Sequence, residues 1–100
     1  MMRSYELMII IHPDLDDEAI NQALDKIKAF ISSGKGKVLN VDEWGKRRLA
    51  YPIQQQNEGL YYLMNIEMPS SLNPELERNL NILEPVIRYL LISKNNNDDD

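Results

Sequence analysis

The chain contains no cysteine, which excludes a disulfide framework, a zinc–thiolate site, an iron–sulfur cluster and a thiol nucleophile. Its single histidine, His12, has no second histidine to complete a metal site and no positioned serine to activate, so a loop position accounts for it better than catalysis. The four glycines are scattered and none builds a phosphate cradle. No stretch approaches the roughly 18 consecutive apolar residues that cross a bilayer. Glu6 interrupts the early apolar run and no small-residue cleavage site follows, so the sequence predicts a soluble, cytoplasmic chain without a signal peptide. These absences leave little support for an enzyme and predict no cofactor and no bound metal.

What remains is an ordinary globular composition, 43% hydrophobic and 27% charged over 100 residues, suited to one domain of about 100 to 150 residues. Eleven Lys and Arg against sixteen Asp and Glu give a net charge of −5, which by itself argues against a polyanionic partner. The placement of charge argues otherwise. Lys35, Lys37, Lys46, Arg47 and Arg48 put five of the eleven cations into fourteen residues, while seven of the acids sit in 14–18 and 98–100. A phosphate responds to charges within a Debye length of roughly 8 Å, so a local basic patch can outweigh the average. A charged hairpin that guards a sheet edge is the competing explanation.

Hydrophobic periodicity organises the chain. Tyr5, Leu7, Ile9 and Ile11 share one face of a strand and Glu6, Met8 and Ile10 the other. Acidic residues Asp14 to Glu18 suit a helix N-terminus better than a cation loop, and Ile20, Ala23, Leu24, Ile27, Phe30 and Ile31 form one stripe, predicting a helix over 16–33 with Gly34 as a left-handed stop. Lys37 to Trp44 is strand-like with Val38 and Val41 out of alternation, which predicts a bulge. The strand continues beyond Gly45 through Ile53, Gln54 to Gly59 reads as a polar, mobile turn, and Leu60 to Met68 returns with strict alternation. Asn73, Pro74 and Glu75 predict a capped helix over 73–83, Pro85 ends it, and Val86 to Ile92 is the last strand. The domain spans 1–94, and 95–100 is expected to be a disordered acidic tail. The order β-α-β-β-α-β predicts an α+β ferredoxin-like split β-α-β sandwich, sheet order 4-1-3-2, with both helices on one face and the other face open. On that open face Tyr61 offers at most a faint echo of a base-stacking position.

The run Trp44-Gly45-Lys46-Arg47-Arg48-Leu49-Ala50-Tyr51-Pro52-Ile53 closely resembles the signature of the bacterial small-subunit ribosomal protein six family. Tyr5-Glu6, His12-Pro13-Asp14, Tyr62 to Glu67 and Val86-Ile87-Arg88 also stand where that family has similar residues, so the resemblance covers 3–94. It implies a ferredoxin-like, non-enzymatic protein that joins ribosomal protein eighteen and binds the central domain of small-subunit ribosomal RNA at the platform. Under this reading Arg3, Lys46, Arg47, Arg48 and Arg88 are the candidate RNA contacts, because guanidinium forks hold phosphates bidentately. Leu49, Tyr51 and Ile53 are either a docking surface for the partner or core side chains of a twisted strand. The alternatives are a small acylphosphatase-type enzyme, for which no glycine-rich cradle is present, and a ligand-sensing regulatory domain.

Overall fold

The computed structural model describes residues 2–53 and 56–94. They run β1 (Met2–Ile11), α1 (Asp17–Ser33), β2 (Lys37–Ile53), β3 (Gln56–Pro69), one 3-10 turn (Ser70–Leu72), α2 (Asn73–Ile82) and β4 (Val86–Ser93). The strands form one antiparallel sheet in the order β2-β3-β1-β4, the expected arrangement read from the other edge. Alternation places Tyr5, Leu7, Ile9 and Ile11 of β1 and Tyr62, Met64, Ile66 and Met68 of β3 in the main core. There they meet Ile20, Leu24, Ile27 and Ile31 of α1 and Leu76 and Leu80 of α2. Each fully buried aliphatic side chain in this layer contributes roughly 1.5 to 3 kcal/mol.

Helix α1 starts as the acidic cluster predicts, with the Asp16 carboxylate accepting from the Ala19 N–H at 2.8 Å. Its end differs from expectation. Gly34 is not left-handed (φ −90°); the left-handed residue is Lys35 at φ 71°. The Gly36 N–H reaches the Ile31 carbonyl at 2.8 Å and the Lys35 N–H the Ser32 carbonyl at 3.0 Å, a Schellman closure centred one residue later. Gly34 instead admits Leu72, whose side chain would have to shift if a Cβ stood there, 2.5 Å from its Cδ1. At the second helix, Asn73 is helical and makes no capping bond; the 3-10 turn precedes it, and its Oδ1 is buried without a partner.

The hairpin also departs from the alternation pattern. Gln56 to Gly59, expected within the turn 54–59, are strand, with Gln56, Glu58 and Gly59 pairing with β2, while 54–55 of that turn and the expected tail at 95–100 lie outside the described residues. The predicted bulge in β2 falls at Leu39, skipped between the pairs Val38 with Ile66 and Asn40 with Asn65. A second falls at Trp44. β4 carries one too: Ile10 pairs with Arg88 and Ile11 with Val86, which frees Ile87 from the core-side row of Tyr89 and Leu91 and lets it pack on the opposite face.

Candidate RNA and partner interface

The sheet face away from the helices is built from Met8 and Ile10, Tyr61 and Leu63, and Arg88, Leu90 and Ile92. Strand β2 folds back over part of it. Arg48 pairs with Glu58, and the next pair is Ile53 with Gln56, so residues 49–52 face the single residue Asn57. That surplus of chain bends the arm out of the ladder and over the sheet. Leu49, 7% exposed, closes a second small cluster with Ile10 and Ile87, flanked by Ile53 and Tyr61. Gly59 makes the close approach feasible, because a Cβ there would collide with Ile10 Cγ2. Tyr51 extends to the far edge strand, where Arg88 Nη1 donates to its hydroxyl at 2.8 Å and the guanidinium lies 6.0 Å from the ring centroid. Between arm and sheet runs an apolar groove of about 290 Å³ lined by Met8, Tyr51, Ile53, Tyr61 and Leu90 among others.

The five predicted cations do not form one patch. Lys46, Arg47 and Arg48 are exposed side by side at the root of the arm, opposite Leu60, Gly59 and Glu58. Arg88 is held by Tyr51 on the other edge of the sheet, its one side-chain hydrogen bond among the described residues. Arg3 pairs with Met68 at the opposite end of β1, seven residues and roughly 24 Å of strand from Ile10. Lys37 opens β2 and Lys35 lies in the turn before it, both beyond Asp42 and Glu43 and far outside a Debye length of roughly 8 Å from Lys46. Of the five cations that cluster in sequence between 35 and 48, only Lys46, Arg47 and Arg48 therefore share one local field.

Of the apolar residues named for docking, Leu49 and Ile53 form the base of the arm, and Tyr51 is its exposed member at 58%. Reasoning from sequence missed Leu90 and Ile92, both exposed on the open face of β4. Their signal was present: Val86 to Ile92 is apolar at both parities except Arg88, the pattern of a strand covered on both sides. Here only one side is covered. It also missed Trp44, 42% exposed at its bulge with the Arg47 guanidinium 5.3 Å from the ring centroid. Tyr61 is half-buried in the small cluster rather than free for stacking. His12 is held by its backbone, its N–H donating to the Pro85 carbonyl at 3.0 Å. Among the described residues no three His, Cys, Asp or Glu side chains converge to hold a metal. Burial, and then the charges of Glu43 and Asp17, push the Tyr62 hydroxyl pKa up on the helix side.

The fold is a ferredoxin-like α+β sandwich whose uncovered apolar sheet face carries a basic strand segment at its margin. Comparison with known proteins agrees. The model of the family "Ribosomal protein S6" matches residues 4–93. The chain is 47% identical over 92 residues to small ribosomal subunit protein bS6 of Clostridium acetobutylicum, covering 92% of this chain and 97% of that one. It is 46% identical over 91 residues to its counterpart in Caldanaerobacter subterraneus subsp. tengcongensis, covering 91% and 96%. The crystal structure of 30S ribosomal protein S6 from Thermotoga maritima superposes with a TM-score of 0.87 at 29% identity, covering 94% of this chain and 89% of that one. The chain belongs to the ribosomal protein S6 family of the small ribosomal subunit, a family of structural components and not of enzymes, whose place is the ribosome in the cytoplasm. The acylphosphatase-type and ligand-sensing alternatives give way to this assignment.

Proposed function

We propose that this protein binds the central domain of small-subunit ribosomal RNA as one half of a heterodimer with ribosomal protein eighteen, and so helps to shape the platform. One observation carries the reading: the cations Lys46, Arg47 and Arg48 stand beside an uncovered apolar face in a chain of net charge −5. The cations take RNA phosphates. Arg88, oriented by Tyr51, adds a second anchor, and Arg3 makes a separate contact at the far end of β1. The partner docks on Tyr51, Leu90 and Ile92, with Leu49 and Ile53 supporting that surface from beneath.

The three arm contacts alone give a salt slope of about −2 to −3, and Arg88 and Arg3 bring it to about −3.5 to −4.5, which the acidic average opposes. A basic partner enlarges the positive surface and meets part of the ordering cost before RNA arrives. The test is a titration of central-domain RNA with this protein, with the partner and with the mixture. The mixture is expected to bind more tightly than either alone at physiological salt. Equal affinity for this protein alone and the mixture would refute the heterodimer reading.

A further inference from the structure

Trp44 is the only tryptophan in the chain, and the fold makes little use of it. Glu43 pairs with Tyr62 and Gly45 with Tyr61, so Trp44 is the surplus residue of a bulge on the edge strand β2. Gly45 completes the bulge at φ +84°, with open space where its Cβ would be. Bulges of this kind re-aim a side chain. The indole belongs to neither hydrophobic cluster, although a tryptophan normally contributes some 150 to 250 Å² of burial to a core. The bulge turns the largest apolar side chain of the chain partly toward solvent on an edge strand, 42% exposed.

The surroundings specify an occupant. Arg47, three residues on, lays its guanidinium over the ring, 5.3 Å from the centroid, and covers part of one face. Lys46 and Arg48 flank Arg47, so residues 44–48 carry one aromatic ring and three cations, with Glu43 before Trp44 and Glu58 across the ladder from Arg48 as the nearest acids in sequence and register. An apolar protein surface seated on the ring would have to strip water from those three charges. A nucleotide instead offers a π face for the ring and a phosphate for the cations in one ligand.

We infer that Trp44, held by Arg47, is a stacking platform for an unpaired nucleobase of RNA. The inference rests on the RNA-binding reading above and adds to it a contact that phosphate neutralisation does not supply. It also places the aromatic contact on the edge strand rather than on Tyr61 of the open face.

Trp44 emission reports the site directly once the partner's own signal is subtracted. The probe is the central-domain ribosomal RNA fragment, added to the protein together with ribosomal protein eighteen, with the partner alone as the control arm. RNA is expected to quench Trp44 and the partner alone to leave it unchanged. Trp44→Ala is expected to weaken RNA binding about 5- to 150-fold while the salt slope stays the same, and Trp44→Phe to retain most of the affinity. Circular dichroism and the Phe variant guard against a folding artefact. Full quenching by the partner alone makes Trp44 a protein contact and overturns the inference. So does unchanged affinity in Trp44→Ala, whereas RNA binding that keeps its salt slope but never perturbs Trp44 overturns the inference and leaves the RNA-binding reading standing. Failure of the mixture to bind RNA at all overturns both.

Discussion

Arg88 donates a 2.8 Å hydrogen bond to the Tyr51 hydroxyl, joining residues 37 positions apart that belong to the two outer strands of the sheet. The bond spans the open face and ties the β2 arm to β4. Leu49 supplies the other anchor by entering the cluster of Ile10 and Ile87. The pair is exposed, so its net worth is that of a typical hydrogen bond, about 0.5 to 1.5 kcal/mol. Tyr51→Phe and Arg88→Ala are expected to be coupled by that amount in a double-mutant cycle of denaturant unfolding. Faster amide exchange in residues 49–53 should accompany either change. Strict additivity would mean that the bond holds nothing in place.

Two leucines on the same side of the sheet should behave oppositely. Leu49 is buried, so Leu49→Ala leaves a cavity and is expected to destabilise by about 2 to 3 kcal/mol, the lower part of the range because the cluster is small. Leu90 is 57% exposed, so Leu90→Ser is expected to stay within about 0.5 kcal/mol of the parent. Its effect should appear in capture of ribosomal protein eighteen instead. Denaturant midpoints and partner pull-down measured on both variants separate the two roles, and a destabilised Leu90→Ser with normal capture would remove Leu90 from the docking surface.

Where side chains alternate with their neighbours, the sequence was sufficient. Leu60 to Met68 alternates without fault, and its register against β1 followed, because a slip of one residue would have turned Met64 and Ile66 out to water. The helix stripes and the strand order were legible for the same reason. What alternation cannot encode is a bulge. Ile87 shares parity with Tyr89 and Leu91, yet packs on the opposite face because the ladder skips a residue beside Ile10 and Ile11. The arm is the same problem enlarged, since nothing local to Leu49 or Tyr51 specifies contact with Ile10 or Arg88, which are distant in sequence. The cationic residues were therefore identifiable one by one, while their grouping was not. Spacing along the chain suggested five together, and an extended strand of roughly 3.3 Å per residue carries Lys35 and Lys37 away from Lys46.

Tyr62 is expected to make stability fall at high pH. Burial first, and then Glu43 and Asp17, raise its pKa above the ordinary value of 10.0, so the folded state holds the phenolic proton more tightly than the unfolded chain. The stabilisation is complete below the unfolded pKa and is lost as pH rises from there through the folded value. Unfolding curves collected across the alkaline range, beginning about one unit below pH 10, should show this loss. Tyr62→Phe is expected to reduce the slope in that window, and Glu43→Gln to reduce it by less, since burial is the larger cause. A slope unchanged in Tyr62→Phe would assign the alkaline loss to other groups.

The three cations at the root of the arm yield a quantitative expectation for RNA binding. Arg47 and Arg48 are exposed and belong to neither hydrophobic cluster, so replacing both with Ala is expected to leave the fold intact. Removing one cation from a phosphate flattens the dependence of log affinity on log salt by about 0.7 to 0.9, so the double variant should flatten it by about 1.4 to 1.8 in the presence of the partner. Arg88→Ala frees one phosphate and should flatten it by about half as much, whereas a side chain that merely hydrogen-bonds Tyr51 would leave it unchanged. Arg3→Ala carries the same arithmetic at the remote end of β1 and should act additively with the arm, because the two sites share no neighbour. Binding measured at four or more salt concentrations for each variant resolves these cases. An unchanged slope in Arg47→Ala/Arg48→Ala, with folding intact, would move both residues from RNA contact to partner docking or simple solvation.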